Sequence, residues 1–233
     1  MAKSHRPEAQ TLHTLSKIRR DLYGLLSSAY IQLPDKKILK LKWEPASELL
    51  RHSPKGMEDS LKQIQTGLDL ITSYGSKTNL SDEEILQNLS KDWTRLFRGV
   101  ARDGILPPYE SLYRTGKLQE KPAQEIYRLF SRMGIRIPDE WHQPPDYIGV
   151  ELDFMRLLCS RELESREKRE KDSTVEVVKV EESFVQNHLA PWLPTFCQKM
   201  MEAAREDFYR GIAGLTLGLV EYDRIYTART ISR

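Results

Sequence analysis

Apolar residues recur at spacings of three and four along most of this chain, which is the pattern of amphipathic α-helices. The first apolar stripe comprises Leu12, Leu15, Ile18, Leu22, Leu25, Leu26 and Ala29. It predicts a helix from about Pro7 to Leu33, because Pro34 cannot continue one. Val175 to Val180 alternates as a strand does, but an isolated strand has no partner, so a helix is preferred. The sequence therefore predicts an all-α fold, an irregular helical bundle of about nine or ten helices.

Two local signals predict where particular helices begin. Ser81 and Glu84 have the spacing of a capping box, in which the serine accepts from the glutamate amide and the glutamate reaches back. Asp146 precedes a helical stripe and stands where an N-cap belongs. Gly211, Gly214 and Gly218 share roughly one helix face, which predicts a close helix–helix contact.

A mostly charged stretch from Arg161 to Asp172 suggests a division of the chain. We expect an N-terminal helical lobe over residues 1–160, a charged hinge or helix end over residues 161–173, and a C-terminal helical lobe over residues 174–233. The two lobes could equally form one continuous domain. A hinge of this kind would permit domain swapping, so a monomer with a domain-swapped dimer as an alternative is expected.

The overall charge is almost balanced, with 36 Lys and Arg against 34 Asp and Glu and a net charge of +2. This balance argues against nucleic acid or an anionic membrane as the partner. The longest apolar run, Ile212 to Val220, is shorter than the roughly twenty residues that a membrane span needs. Cys159 and Cys197 are predicted to be free buried thiols, although the spacing leaves a single disulfide open.

The first residues are polar and lead into no apolar core, so no export signal is predicted. Arg19 and Arg20 are adjacent but are followed by Asp21 and by no long uncharged stretch. We therefore expect both arginines on the exposed face of a helix. These observations predict a soluble protein of the cytoplasm.

Signs of catalysis are sparse. The five histidines lie at no metal-ligand spacing, and neither a GxSxG elbow nor a Walker phosphate loop occurs. Glu151 and Asp153 point to different sides of a helix, because residues two apart do not face each other. The sequence predicts no catalytic residue, no metal site, no cofactor and no enzymatic activity.

Three segments combine large aromatic residues with proline or glycine: residues 92–99, 107–118 and 140–148. Prolines fix the backbone and aromatic rings offer broad contact area, so the segments could line a semi-rigid apolar cleft containing a few acids. The alternative is that Trp93, Leu96 and Phe97 are core residues. The proline pairs would then be connectors and Asp146 only a helix cap. Residue chemistry alone leaves both interpretations open.

The same segments resemble, in order, elements of the TorD/DmsD/NarJ family of redox-enzyme maturation chaperones. The similar stretches are Tyr23–Tyr30 (opening helix), Trp93–Gly99 (aromatic-x-x-Leu-Phe-x-Gly), Pro107–Tyr113 (Pro-Pro-aromatic-x-Ser-x-Tyr), Pro144–Tyr147 (Pro-x-Asp-His), Glu151–Met155 and His188–Phe196. The sequence departs from the family pattern at two positions. Tyr147 replaces the histidine of the motif and cannot become positively charged near neutral pH. Glu140 lies further from the Pro-Pro pair than is usual.

The resemblance implies an all-helical fold without catalytic activity. It further implies binding of the twin-arginine leader, and of the body, of a molybdenum-cofactor oxidoreductase catalytic subunit. In the family the chaperone blocks export until the cofactor has been inserted, whereas NarJ-type members serve subunits that stay at the cytoplasmic face. Two other interpretations are a helical peptide-binding scaffold without twin-arginine specificity and a nucleotide-responsive switch.

For this function we expect an open apolar trough where Trp93, Phe97 and Tyr109 converge beside Asp146. Asp146 is the first candidate to receive a guanidinium group, because a carboxylate can accept the arginine fork with two hydrogen bonds. The predicted peptide-binding residues are Tyr23, Trp93, Leu96, Phe97, Pro108, Tyr109, Glu110, Pro144, Pro145, Asp146, Tyr147 and Glu151.

Overall fold

The computed structural model describes residues 5–74, 80–100, 102–137 and 142–232, and the side chains from residue 10 onward. Glu140, one of the acids considered above, lies outside these ranges. The described helices are α1 (His5–Ile31), α2 (Glu44–His52), α3 (Glu58–Tyr74), α4 (Asp82–Phe97), α5 (Glu110–Thr115), α6 (Lys121–Arg132), α7 (Ile148–Lys168), α8 (Lys171–Phe184), α9 (Leu193–Ala203) and α10 (Asp207–Ile231). A short 3-10 helix (Ile38–Lys40) precedes α2, and a π-helical turn (Val185–Leu189) follows α8.

The all-α prediction is confirmed, since the only β-type pairing in the described ranges is an isolated bridge between Tyr109 and Tyr147. Val175 to Val180 lies within α8, as preferred. The capping box at α4 is also confirmed. Ser81 Oγ accepts from the amide of Glu84 at 3.4 Å, and the Ser81 amide donates to Glu84 Oε2 at 2.8 Å.

Two helix pairs form the core: α1 packs along α7, and α3 packs along α10. The second pair approaches closely because glycines meet at the crossing. A Cβ atom added to Gly67 would lie 2.7 Å from the carbonyl oxygen of Gly211, and one added to Gly214 would lie 3.3 Å from Gly67 Cα. The packing role expected for the glycines of α10 is therefore confirmed.

A buried arginine joins four helices. Arg19 of α1 is fully buried and donates to Asp223 of α10 at 2.7 and 2.8 Å, to Glu162 of α7 at 2.7 Å and to Glu181 of α8 at 2.6 Å. The expectation that Arg19 faces solvent is wrong. Three carboxylates from distant parts of the chain supply the partners that a buried guanidinium requires, and a local pattern cannot show them.

The charged stretch after residue 160 begins as helix. α7 continues to Lys168, Arg169 adopts a left-handed conformation with φ of 61°, and α8 begins at Lys171. The division into two lobes stays a prediction. Cys159 and Cys197 are buried free thiols, as expected. Within the described ranges, none of the helices combines the length and apolar character that crossing a bilayer requires.

Candidate functional site

The predicted apolar wall is divided between core and surface. On α4, Trp93, Leu96 and Phe97 are at most 5% exposed. The Trp93 indole N–H donates to the Ala29 carbonyl at 3.2 Å, and the Phe97 ring packs 5.2 Å from that of Tyr30. The expected open trough at Trp93, Phe97 and Tyr109 is therefore wrong for this conformation, because α4 turns its apolar face onto α1.

Tyr23 is also a core residue. Its side chain is fully buried, and its hydroxyl donates to Asp223 Oδ2 at 2.8 Å, within the Arg19 network. The structure thus places Tyr23 at the four-helix junction, whereas the predicted residues that follow Phe97 lie around α5 and the start of α7.

The two proline-containing segments lie side by side. The Glu110 amide donates to the Asp146 carbonyl at 2.9 Å, and the Ile148 amide donates to the Pro108 carbonyl at 3.0 Å. The rings of Tyr109 and Tyr147 are 5.3 Å apart. These contacts bring together the residues that precede α5 and α7.

Tyr147, at the position of the family histidine, is a buried structural residue. Its hydroxyl donates to the Tyr30 carbonyl at 2.6 Å. Burial is the main cause that raises the pKa of the Tyr147 phenol far above its ordinary value, and the neighbouring Tyr109 adds to it. The side chain therefore stays neutral and holds the start of α7 against α1.

Asp146 caps a different helix from the one predicted. Tyr147 is the N-cap residue of α7, whereas Asp146 Oδ2 accepts from the Ser111 amide of α5 at 3.0 Å. The bridge between the two segments places Asp146 beside the first backbone amides of α5. The N-cap residue of α5, Tyr109, supplies no side-chain hydrogen bond to these amides. Asp146 is fully buried, and its Oδ1 atom has no partner among the described residues.

Three carboxyl groups are buried together here, and we call Glu110, Asp146 and Glu151 the carboxyl cluster. Each is 0% exposed. Neither carboxyl oxygen of Glu151 has a hydrogen bond of ordinary geometry to any described residue. Burial first, and then the charges of Glu110 and Asp146, raise the pKa of Glu151 well above its ordinary value. The surroundings of Glu151 thus favour its protonated form.

Residues absent from the sequence-based prediction complete the cluster. Arg114 forms an ion pair with Glu110 Oε1, and His188 Nδ1 lies 3.0 Å from Glu110 Oε2. The Trp192 indole N–H faces Glu151 but does not reach hydrogen-bond geometry. The i,i+4 spacing of Glu110 and Arg114 could have revealed that pair. His188 lies in the π-helical turn, and Trp192 follows that turn. Both are distant from α5 in sequence, so no local pattern connects them to it.

An open pocket lies at the segment that immediately precedes Asp146. It has a volume of about 450 Å³, and Tyr127, Pro144, Pro145 and Gln119 are among the residues that line it. We call it the α6 pocket. Tyr127 is 65% exposed. The backbone N–H of Gln119 donates to Ser111 Oγ at 3.2 Å, which connects the pocket to α5. A separate cleft of about 470 Å³, lined by Trp43 and Phe208 among others, contains none of the predicted residues.

The described residues contain no group of three or more His, Cys, Asp or Glu side chains placed to hold a metal ion. The site is instead a sealed set of carboxyl groups next to an exposed patch of proline and aromatic residues. Its chemistry suits the recognition of cationic and apolar groups of a polypeptide rather than bond making or breaking.

Comparisons with known proteins define the class. Residues 52–198 match the model of a family described as the nitrate reductase delta subunit. A protein named chaperone protein TorD from Vibrio parahaemolyticus is 33% identical over 175 residues, covering 73% of this chain and 77% of that protein. Another of the same name, from Vibrio cholerae, is 25% identical over 217 residues, covering 92% of this chain and 94% of that protein.

This chain is therefore of the helical chaperone class. It belongs to the nitrate reductase delta subunit family, the TorD/NarJ family of redox-enzyme maturation chaperones. The suspected resemblance and the prediction of a non-enzymatic protein are confirmed. A solved structure titled a putative redox enzyme maturation protein, from Archaeoglobus fulgidus, aligns with a TM-score of 0.44 at 17% identity, covering 85% of this chain and 92% of that one. The family assignment does not depend on it.

Proposed function

We propose that this chain is a cytoplasmic chaperone for the catalytic subunit of a molybdenum-cofactor oxidoreductase. It binds the subunit's twin-arginine leader and body, and it holds the subunit until the cofactor is inserted and export begins. It acts without nucleic acid and without inserting into the membrane. The family and the names of the TorD relatives support the chaperone role.

One observation carries the leader-binding part of this proposal: Pro144 and Pro145, which line the α6 pocket, immediately precede Asp146 of the carboxyl cluster. A twin-arginine leader presents two guanidinium groups followed by an apolar stretch. Carboxylates accept guanidinium donors with charge-assisted hydrogen bonds, and Pro144, Pro145 and Tyr127 offer an apolar surface for the stretch. The carboxyl cluster thus suits the guanidinium groups of the leader, and the α6 pocket suits its apolar stretch.

The apolar contacts supply most of the affinity. Each buried Leu or Phe of the leader contributes roughly 1.5–3 kcal/mol before ordering costs. An exposed arginine–carboxylate pair contributes roughly 0–1 kcal/mol. Ordering a flexible peptide opposes binding by about 2–5 kcal/mol. Micromolar affinity, about −8 kcal/mol, is therefore expected, with the carboxyl cluster setting register and discrimination.

Binding requires a local opening, because the cluster is sealed in the free chain. The element most suited to move is α5, which has only six residues and ends at Gly116 in a left-handed conformation with φ of 76°. Short helices with few contacts open at low cost compared with core helices. The apparent affinity is then reduced by the fraction of molecules in the open state.

The test is a calorimetric titration of a leader peptide against the wild type and Asp146→Asn. Asparagine can still accept from the Ser111 amide, so the variant removes charge while keeping the cap of α5. We expect binding to be weaker by up to about fivefold, equivalent to about 1 kcal/mol, and a smaller preference for the Arg-Arg leader over a Lys-Lys leader.

The matched control is Asp35→Asn. Asp35 is an exposed aspartate whose Oδ1 accepts from the Lys37 amide at 2.8 Å, far from the carboxyl cluster in sequence. It should leave leader binding unchanged. Equal affinity of the wild type and Asp146→Asn for both leaders would remove Asp146 from recognition. Equal affinity of the wild type itself for the Arg-Arg and Lys-Lys leaders would favour a peptide scaffold without twin-arginine specificity.

A further inference from the structure

The Arg114 side chain reaches from the solvent to Glu110, one member of the carboxyl cluster. It is 34% exposed, whereas its partner Glu110 is 0% exposed. Its Nη1 atom donates to Glu110 Oε1 and also to the carbonyl oxygen of Asn187, in the π-helical turn, at 3.0 Å. A partly exposed guanidinium of the chain itself therefore reaches into a buried carboxylate.

Behind Arg114, the interior has more hydrogen-bonding capacity than the chain uses. Both oxygens of Glu151, Asp146 Oδ1 and the Trp192 indole N–H make no hydrogen bond of ordinary geometry to the described residues, although all three side chains are at least 99% buried. Buried polar groups are nearly always satisfied in native proteins, and leaving them unsatisfied is costly. Unused capacity at one place points to a ligand that the free chain lacks.

We propose that Arg114 is an internal stand-in for an arginine of the bound polypeptide. In the free chain its guanidinium occupies the position at Glu110 that a peptide arginine takes in the complex. Peptide binding therefore displaces Arg114 into solvent. This inference rests on the proposed function, and it deepens that function by naming the position where an arginine is read.

The exchange is chemically conservative. An incoming guanidinium carries the same planar set of donors as Arg114, so the Glu110 carboxylate keeps a charge-assisted partner throughout. A peptide arginine also brings donors that can reach the unused oxygens of the cluster. A lysine ammonium is a compact point charge and cannot reproduce the fork, so the position selects arginine over lysine.

Arg114 is placed where it can leave. It lies in the last turn of α5, two residues before Gly116, and a third of its side chain already faces water. On release it loses one ion pair and the contact to the Asn187 carbonyl. Glu110 retains its contact with His188 at 3.0 Å, so its carboxylate keeps one polar partner while the two arginines exchange.

The first test needs no leader peptide. Arg114→Ala removes the stand-in, and millimolar acetyl-arginine amide should then raise the melting temperature of this variant more than that of the wild type. Acetyl-lysine amide should have a smaller effect. Lys117→Ala, which removes an exposed cation from the loop after α5, should respond as the wild type does. An Arg114→Ala protein that responds no more than Lys117→Ala overturns the proposal.

A double variant locates the effect. Adding Glu110→Gln to Arg114→Ala should abolish the response to acetyl-arginine amide, because the carboxylate that receives the guanidinium is gone. A response that survives in the double variant places the arginine elsewhere and equally overturns the proposal.

The second test measures leader affinity by calorimetry. Arg114→Gln should bind the Arg-Arg leader about tenfold more tightly than the wild type, because no internal guanidinium competes. Arg114→Lys should lie between the two, and it serves as the variant if Arg114→Gln does not fold. Unchanged or weaker binding overturns the stand-in role. A wild type that fails to bind the leader contradicts the proposed function instead, and the acetyl-arginine amide test still decides whether Glu110 accepts a guanidinium.

Discussion

The buried acid Glu181 has a pKa far from its ordinary value. Glu181 is fully buried beside Arg19, Glu162 and Asp223, so the Arg19 guanidinium faces three carboxyl groups, while Arg166 also pairs with Glu162. Burial is the main cause that raises the pKa of Glu181 from 4.5 to about 8, and the charges of Glu162 and Asp223 add to it, while Arg19 opposes it. The protonated form therefore balances the junction better than three ionised carboxylates would.

The raised pKa predicts how stability depends on pH. A folded-state pKa of about 8 against 4.5 means that the contribution of Glu181 is fully present below pH 4.5 and is lost as pH rises through 8. Glu181→Gln imitates the protonated acid. Its melting temperature should fall less than that of the wild type between pH 5 and pH 9. The slopes of the free energy of unfolding against pH should differ by at most about 1.4 kcal/mol per pH unit.

Thermal melts across that pH range provide the measurement, and Glu176→Gln is the control. Glu176 is an exposed residue of the same helix, so its replacement should preserve the slope of the wild type. Parallel pH profiles for the wild type and Glu181→Gln would contradict the assignment of the titration to Glu181.

At the scale of elements, the sequence predicts what is local. The capping box of α4 depends on residues three apart, and it was identified correctly. Asp146 was correctly identified as a capping residue, but it caps α5 rather than its own helix. The spacing of residues along the chain does not show that the bridge between Tyr109 and Tyr147 brings the Asp146 carboxylate to α5. The π-helical turn after α8 likewise had no signal in the pattern of apolar residues.

The crossing of α3 and α10 gives a prediction about packing. Gly67→Ala should destabilise the protein by about 1–3 kcal/mol, because the new Cβ would lie 2.7 Å from the Gly211 carbonyl oxygen and 2.8 Å from the Leu215 amide nitrogen. Chemical denaturation measures the change. Gly24→Ala is the control, since its Cβ would meet only the flexible Arg156 side chain, and alanine favours a helix. Equal stability of the two variants would argue against a backbone contact.

At the scale of the whole molecule, helical periodicity predicted the all-α class but not which apolar faces are covered. The sequence-based prediction places Trp93 and Phe97 in an open trough, whereas α4 buries them together with Leu96 within the chain. A hydrophobic face looks the same in sequence whether its partner is another helix or a bound peptide. The prediction that Arg19 is exposed is wrong for a similar reason. Its three acidic partners lie 143 to 204 residues away, so no local pattern indicates them.

The predicted domain-swapped dimer can be tested at the α7–α8 connection. Arg169 has a φ of 61°, which proline cannot adopt. Arg169→Pro should therefore disfavour the reversal between the helices and increase the dimer fraction measured by light scattering after size-exclusion chromatography. Lys171→Pro places proline at the first residue of α8, where it is tolerated, and should leave the fraction unchanged. A purely monomeric Arg169→Pro protein would argue against swapping at this connection.

The ion pair between Arg19 and Asp223 has a consequence for synthesis on the ribosome. The two residues are separated by 204 positions, so the guanidinium of the first helix has no chance to meet this carboxylate until the last helix has emerged. Contacts of such long sequence separation form late in folding. A nascent chain therefore leaves Arg19 without its Asp223 partner until α10 has been made, and the junction of four helices closes only after that.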